Sequence, residues 1–262
     1  MKLLIVLATL TAVSIGQKCR GTYFSYQYYK MELLKVKLRP IIHMVYTKKH
    51  DSVYYIYDNG EVWYFNLDNQ GSKFIQDIVN ATSLAIDDKN NKVYVGSTSG
   101  LYKINTNTNL AYKTYKTEPI LSVCFKDDLY FTNKHRKVYK NNFYGGKMLS
   151  QMLNDVADDI VLDNENNLFF MKDRKVYRIK LDAGTPAIEV TDFPVNFMTM
   201  DEDDKLYLAT DDGILLYNKY RHVLDKITKL YANALVFDKR RYPVYCVTDS
   251  LFRLKDPVDC IF

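Results

Sequence analysis

The stretch ATSLAIDDKNNKVYVGSTSGLYKINT, residues 81–106, contains three short strands and two turns. Ser83 to Ile86 is apolar, Asp87 to Lys92 is a polar turn, and Val93 to Gly96 is a second strand. A turn ending in Gly100 leads into the third, Leu101 to Ile104. Strand, turn-former cluster, strand is the hairpin signal, and here it occurs twice in succession.

The pattern recurs along the chain. An apolar-aromatic pair heads the second strand at Val53-Tyr54, Val93-Tyr94, Leu129-Tyr130, Leu168-Phe169, Leu206-Tyr207 and Val244-Tyr245, with spacings of 40, 36, 39, 38 and 38. Another heads the third strand at Val62-Trp63, Leu101-Tyr102, Val138-Tyr139, Val176-Tyr177, Leu216-Tyr217 and Leu251-Phe252, with spacings of 39, 37, 38, 40 and 35. Two independent markers with one period of about 40 residues signify propeller blades. The expected fold is all-β, a six-bladed β-propeller of four-stranded blades.

Fourth strands are expected at Lys73 to Asp77, Tyr112 to Tyr115, Lys147 to Met152, Ile188 to Asp192 and Leu224 to Thr228. The last blade runs Leu235 to Phe237, Val244 to Val247 and Leu251 to Leu254, and no fourth strand follows it. The orphan segment Leu33 to Lys37 is expected to fill that place and close the ring, which removes a free sheet edge. Residues 18–32, rich in tyrosine, are expected to form an irregular or extended arm over the closure. No helix of three turns is expected; the best candidate, Met148 to Val156, is short.

Residues 1–16 have the form of a secretory signal peptide: Lys2, an apolar core from Leu3 to Val13, and small residues before a cut after Gly16. Residues 17–262 would then form one propeller domain. No later apolar run is long enough to span a membrane. The net charge is +5, with Lys and Asp interspersed, so no basic face for nucleic acid stands out. Of the four cysteines, Cys19 and Cys260 lie at the two ends that a propeller must bring together, and they are expected to pair. Cys124 and Cys246 lie in apolar runs and are expected to be buried and unpaired. Asn80-Ala81-Thr82 is an N-glycosylation sequon in a connecting loop.

Inner strands line the channel of a propeller. Aligned on their last apolar residue, they show a uniformly apolar column, Met44, Leu84, Val123, Ile160, Met198 and Leu235. The preceding column is mixed: His43, Ser83, Ser122, Asp159, Phe197 and Ala234. Most of this column, with nearby Asn196 and Asn233, makes up the candidate ligand site at the channel mouth. The alternative is that these polar groups are satisfied within the packing between blades. His43 and Asp159, in opposite blades, could flank one ligand. No G-x-S-x-G, H-E-x-x-H or P-loop occurs, so no catalytic residue is assigned. Among oxygen donors the column offers only Asp159 and the asparagines, which disfavours a tight calcium site. Twenty-three tyrosines against one tryptophan exceed what the repeat requires. Tyr46, Tyr55, Tyr57, Tyr112, Tyr115, Tyr220 and Tyr231 are candidates for stacking on a flat ligand.

The signal peptide, the size of the mature chain, the V-Y/L-Y repeats and the terminal cysteines together resemble the ommochrome-binding proteins of moth haemolymph. The blade consensus is more distantly similar to regucalcin-like and NHL-type propellers. The first resemblance implies a secreted, non-enzymatic carrier, favoured as a monomer, for a planar, partly anionic aromatic pigment of the xanthommatin type. It implies no cofactor besides that pigment. The alternatives are a metal-dependent regucalcin-like hydrolase or lactonase, and a secreted protein-interaction propeller.

Overall fold

The computed structural model describes residues 21–142 and 145–257. Cys19, Cys260 and residues 1–16, where a signal peptide is expected, lie outside them. The described chain forms a six-bladed β-propeller. The inner strands are Ile41–Thr47, Ala81–Asp87, Ile120–Lys126, Asp159–Leu162, Phe197–Met200 and Ala234–Phe237. Each starts an antiparallel sheet that runs outward in chain order, except that the sixth is completed by strands from the N-terminus.

The hairpin joining the first two strands of each blade follows one chemical rule. Its last turn residue is left-handed in every blade: Asp51, Asn91, Asp127, Asn166, Asp204 and Arg241, with φ between +45° and +64°. Asn and Asp tolerate this region best, and five of the six are one or the other. In four blades an Asp at the end of the inner strand takes the turn's N–H groups. Asp163 Oδ1 accepts from Glu165 and Asn167, both at 2.9 Å. Asp201 and Asp238 each accept two such bonds, and Asp87 accepts one from Asn90. Asp87, Asp163 and Asp238 are buried, and their structural work is to hold turns.

Alternating side chains of the sheets pack against the neighbouring blades on either side, and six apolar clusters fill the six gaps. Leu84 packs with Tyr54 and Val93 between blades one and two; Met44 packs with Ala234 and Val236 between one and six. All six aromatics at the heads of the second strands are buried, Tyr54 completely. Cys124 and Cys246 are buried free thiols, and burial pushes them up to about 12 and about 11.

Ring closure uses an N-terminal strand, but a longer one than the sequence suggests. Gln27–Lys35 pairs with Ser250–Pro257 and completes blade six. The tyrosine-rich arm is extended, the second of the two forms expected. Gly21–Phe24 turns back on it as a fifth strand through a two-residue loop. Ser25 and Tyr26 in that loop have φ of +49° and +67°, a type I′ turn whose twist matches the strands. Several fourth strands are also shorter than expected: Lys147–Met148 gives way to a single 3₁₀ turn at Ser150–Met152, and Ile188–Glu189 stops early.

Glu32 clasps the closure. Its carboxylate meets Arg253 at 2.8 Å and Lys255 at 2.8 Å, and all three are partly buried. Partial burial alone would raise Glu32, but the hydrogen bonds and charges of Lys255 and Arg253 outweigh it and hold the group below its usual value. A depressed carboxylate stabilises the fold above its unfolded pKa, near 4.3, and that contribution disappears as pH falls through the folded value. Glu32→Gln should therefore cost about 1–2 kcal/mol at pH 7. The gap from the parent should narrow between about pH 5 and pH 3. Urea midpoints across pH test this; a gap that stays constant down to pH 3 would rule out the clasp.

Candidate ligand site in the axial channel

Three cavities of about 270, 210 and 370 Å³ follow one another along the axis, each sharing lining residues with the next. The first opens where the inner strands begin and is lined from all six blades. The third lies among the hairpin turns at the opposite end.

His43, Ser83, Asp159, Asn196, Phe197 and Ala234 all line the first cavity. Ser122 stands behind it, donating to Asp159 Oδ1 at 2.6 Å, while the Ile160 N–H donates to the same oxygen at 2.9 Å. Ser83 also serves a neighbouring blade, as its hydroxyl accepts the Val123 N–H at 3.0 Å. The two serines thus lock blade two to three and three to four. Asn233 does not line the cavity; its Oδ1 accepts the Thr248 N–H at 2.9 Å and fixes a turn in blade six.

His43 is half-buried and lines the cavity, and its Nδ1 is buried with no hydrogen-bond partner. Burial lowers its pKa, and the Asp159 carboxylate from the opposite side of the ring only partly opposes this, so the imidazole is neutral near pH 7. Asn196 donates to Asp211 at 2.8 Å and accepts from Arg174 at 2.5 Å at the rim. Asp158, absent from the sequence-based set, also lines the cavity, with its carboxylate held by Arg136 at 2.6 Å. It lies in the same alignment column as Asn196 and Asn233, and extending that column to every blade would have found it. Phe197, Met44, Met171 and Met198 supply the apolar surface.

The tyrosine excess does not gather here. Tyr46 lines the far cavity and donates to Asp51 at 2.6 Å. Tyr55 and Tyr57 are buried against each other, and Tyr112, Tyr115, Tyr220 and Tyr231 are exposed on the outside. Trp63 is also off the axis, between Tyr57 and Phe74 with Lys35 above its ring.

At the far end, residues 201–205 of blade five reach four other blades. Glu202 meets Lys48 and Asp204 meets Lys126, each at 2.8 Å. Asp203 meets Arg241 at 2.8 Å, and Asp204 also accepts the Asn164 N–H at 3.2 Å.

Among the described residues no group of three or more His, Cys, Asp or Glu side chains is placed to hold a metal ion. In the first cavity Asp158 is taken by Arg136, leaving Asp159 and Asn196 as oxygen donors, with Asn196 already bonded on both sides. A divalent ion that needs about six oxygen ligands does not fit this set.

No protein-family model matches the chain. It is similar to the ommochrome-binding protein of Manduca sexta, 21% identical over 248 residues, covering 88% of this chain and 89% of that protein. In structure it is similar to a gluconolactonase of Xanthomonas campestris, with a TM-score of 0.69 at 10% identity over 90% of this chain and 95% of the other. It is also similar to a chain of the nidogen/laminin complex, with a TM-score of 0.59 at 11% identity over 80% and 95%. At these identities the structural likenesses establish the propeller fold alone.

Proposed function

We propose that this protein is a secreted, non-enzymatic carrier of a planar aromatic pigment of the ommochrome type, held at the His43 end of the channel. The observation that carries the reading is the cavity of about 270 Å³ where Phe197 and methionine thioethers meet His43, Asp159 and Asn196. An apolar slot with a few convergent polar groups is the usual form of a small-molecule site. The similarity to the Manduca sexta protein along most of the chain supports the same reading. The hydrolase alternative shares the fold, but the donor set of this channel gives it no metal centre. Export and a glycan on exposed Asn80 belong to the proposal; a mass shift on enzymatic deglycosylation of the secreted protein checks both.

Titration with xanthommatin, followed in the visible band, should give a saturable one-to-one spectral change. Visible absorbance is the better readout because Trp63 lies away from the cavity. Phe197→Ala should weaken binding about tenfold, the loss of one stacking and burial contact. Absence of any saturable change in the parent protein would remove the carrier reading.

A further inference from the structure

The charge at the His43 mouth is not that of a pocket for an anion. Asp159 has no ion-pair partner among the described residues, whereas the adjacent Asp158 is held on two oxygens by Arg136, at 2.6 and 2.7 Å. Both hydrogen bonds to Asp159, from Ser122 and from the Ile160 N–H, go to Oδ1, which leaves Oδ2 for the cavity that the residue lines. Across the ring stands the half-buried imidazole of His43, whose Nδ1 is sealed off without a partner, so that Nε2 is the ring nitrogen left for the cavity.

We propose that the mouth seats a protonated amine of the ligand, with the ammonium donating to Asp159 Oδ2 and to the imidazole of His43 while an attached aromatic ring lies on Phe197. This deepens the carrier reading and rests on it. An ammonium carries three donors and no acceptor, and the two open groups can both accept. His43 stays neutral in this site, so its unprotonated nitrogen is free to take a proton donor. A carboxylate in the same place would face the Asp159 charge. The guanidinium of Arg136, which reaches the cavity's edge only through Asp158, is already shared between Asp158 and Asp173. Arg174 stands outside, tied to Asn196.

Three probes built on one indole ring test the seat: tryptamine, N-acetyltryptamine and indole-3-acetate, which carry a cation, a neutral amide and an anion. Calorimetric titration of the full chain should rank tryptamine at least tenfold tighter than either of the others. Asp159→Asn should keep the Ser122 and Ile160 hydrogen bonds through its amide oxygen, and should abolish the preference while N-acetyltryptamine binds as before. His43→Phe, which removes the acceptor but keeps a ring, should reduce the preference in part. Unfolding midpoints of both variants establish that they are folded. Equal binding of the three probes, tighter binding of indole-3-acetate, or no binding of any of them would overturn the amine seat. So would an unchanged preference in folded Asp159→Asn. If xanthommatin still binds in those cases, the carrier reading survives; if it does not, both fall.

Discussion

Phe24→Ala is expected to lower the folding stability by about 3–5 kcal/mol, the cost of deleting a buried phenylalanine whose site cannot collapse. Phe24 ends the outermost strand of the closing sheet, where peripheral residues ordinarily matter little. Here its ring is only 4% exposed. It stacks on Tyr207 of blade five at 6.2 Å and meets Phe237 of blade six edge-on at 6.1 Å. The backbone beside it is pinned by the Ser25 N–H to the Ile227 carbonyl, at 3.2 Å, so the hairpin cannot slide inward to fill the hole. Tyr26, at the tip of the same hairpin, is 83% exposed. Tyr26→Ala should fall within about 0.5 kcal/mol of the parent. Urea unfolding of the two variants side by side tests the pair. Should Phe24→Ala cost less than about 1 kcal/mol, well below the range for a buried aromatic, the hairpin would not be docked in solution.

Gly213→Ala should cost about 3 kcal/mol or more, from left-handed backbone strain and a direct collision. Gly213 opens the third strand of blade five at φ +130°, and a Cβ there would meet the Thr228 carbonyl oxygen at 2.2 Å. Thr228 belongs to the fourth strand of the same blade, so relief requires the sheet to part. Gly100 occupies the same place in blade two, at φ +123° with the Lys116 carbonyl at 2.2 Å, and should behave alike. Gly184, at φ +61° with nothing within 4 Å of its Cβ, isolates the strain from the collision. Gly184→Ala should cost about 1–2 kcal/mol. Thermal midpoints that place Gly213→Ala no lower than Gly184→Ala would show that the close approach is not there.

The ring was legible because its code is local. Tyr54 and its five counterparts mark every blade, and each must be large and apolar to fill the gap beside it. Asn91, Asn166 and their kin mark the left-handed end of each hairpin, where few residue types fit. The inner-strand column was legible for the same reason, and it brought His43, Asp159 and Phe197 into one cavity. What the sequence hid depends on distances across the ring. Whether Ser122 faces a ligand or Asp159 is decided by a neighbouring blade 37 residues on. Whether Asp158 is an open carboxylate depends on Arg136, 22 residues earlier. The tyrosine excess misled for another reason. Tyrosine suits sheet surfaces as well as ligand sites, and Tyr112, Tyr115 and Tyr220 are simply outward-facing.

The acidic segment Asp201–Lys205 alters how the wheel can deform. A ring whose blades touched only their two neighbours could flatten toward an oval without breaking a contact across it. Here one turn holds Lys48 of blade one and Lys126 of blade three, each two places away. Such diagonal struts oppose ovalisation directly, though each is a modest, partly solvated contact. Because they are ionic, added electrolyte slackens them. Roundness of the bore, and with it the grip on anything inside, becomes a property of the surrounding fluid as well as of the chain.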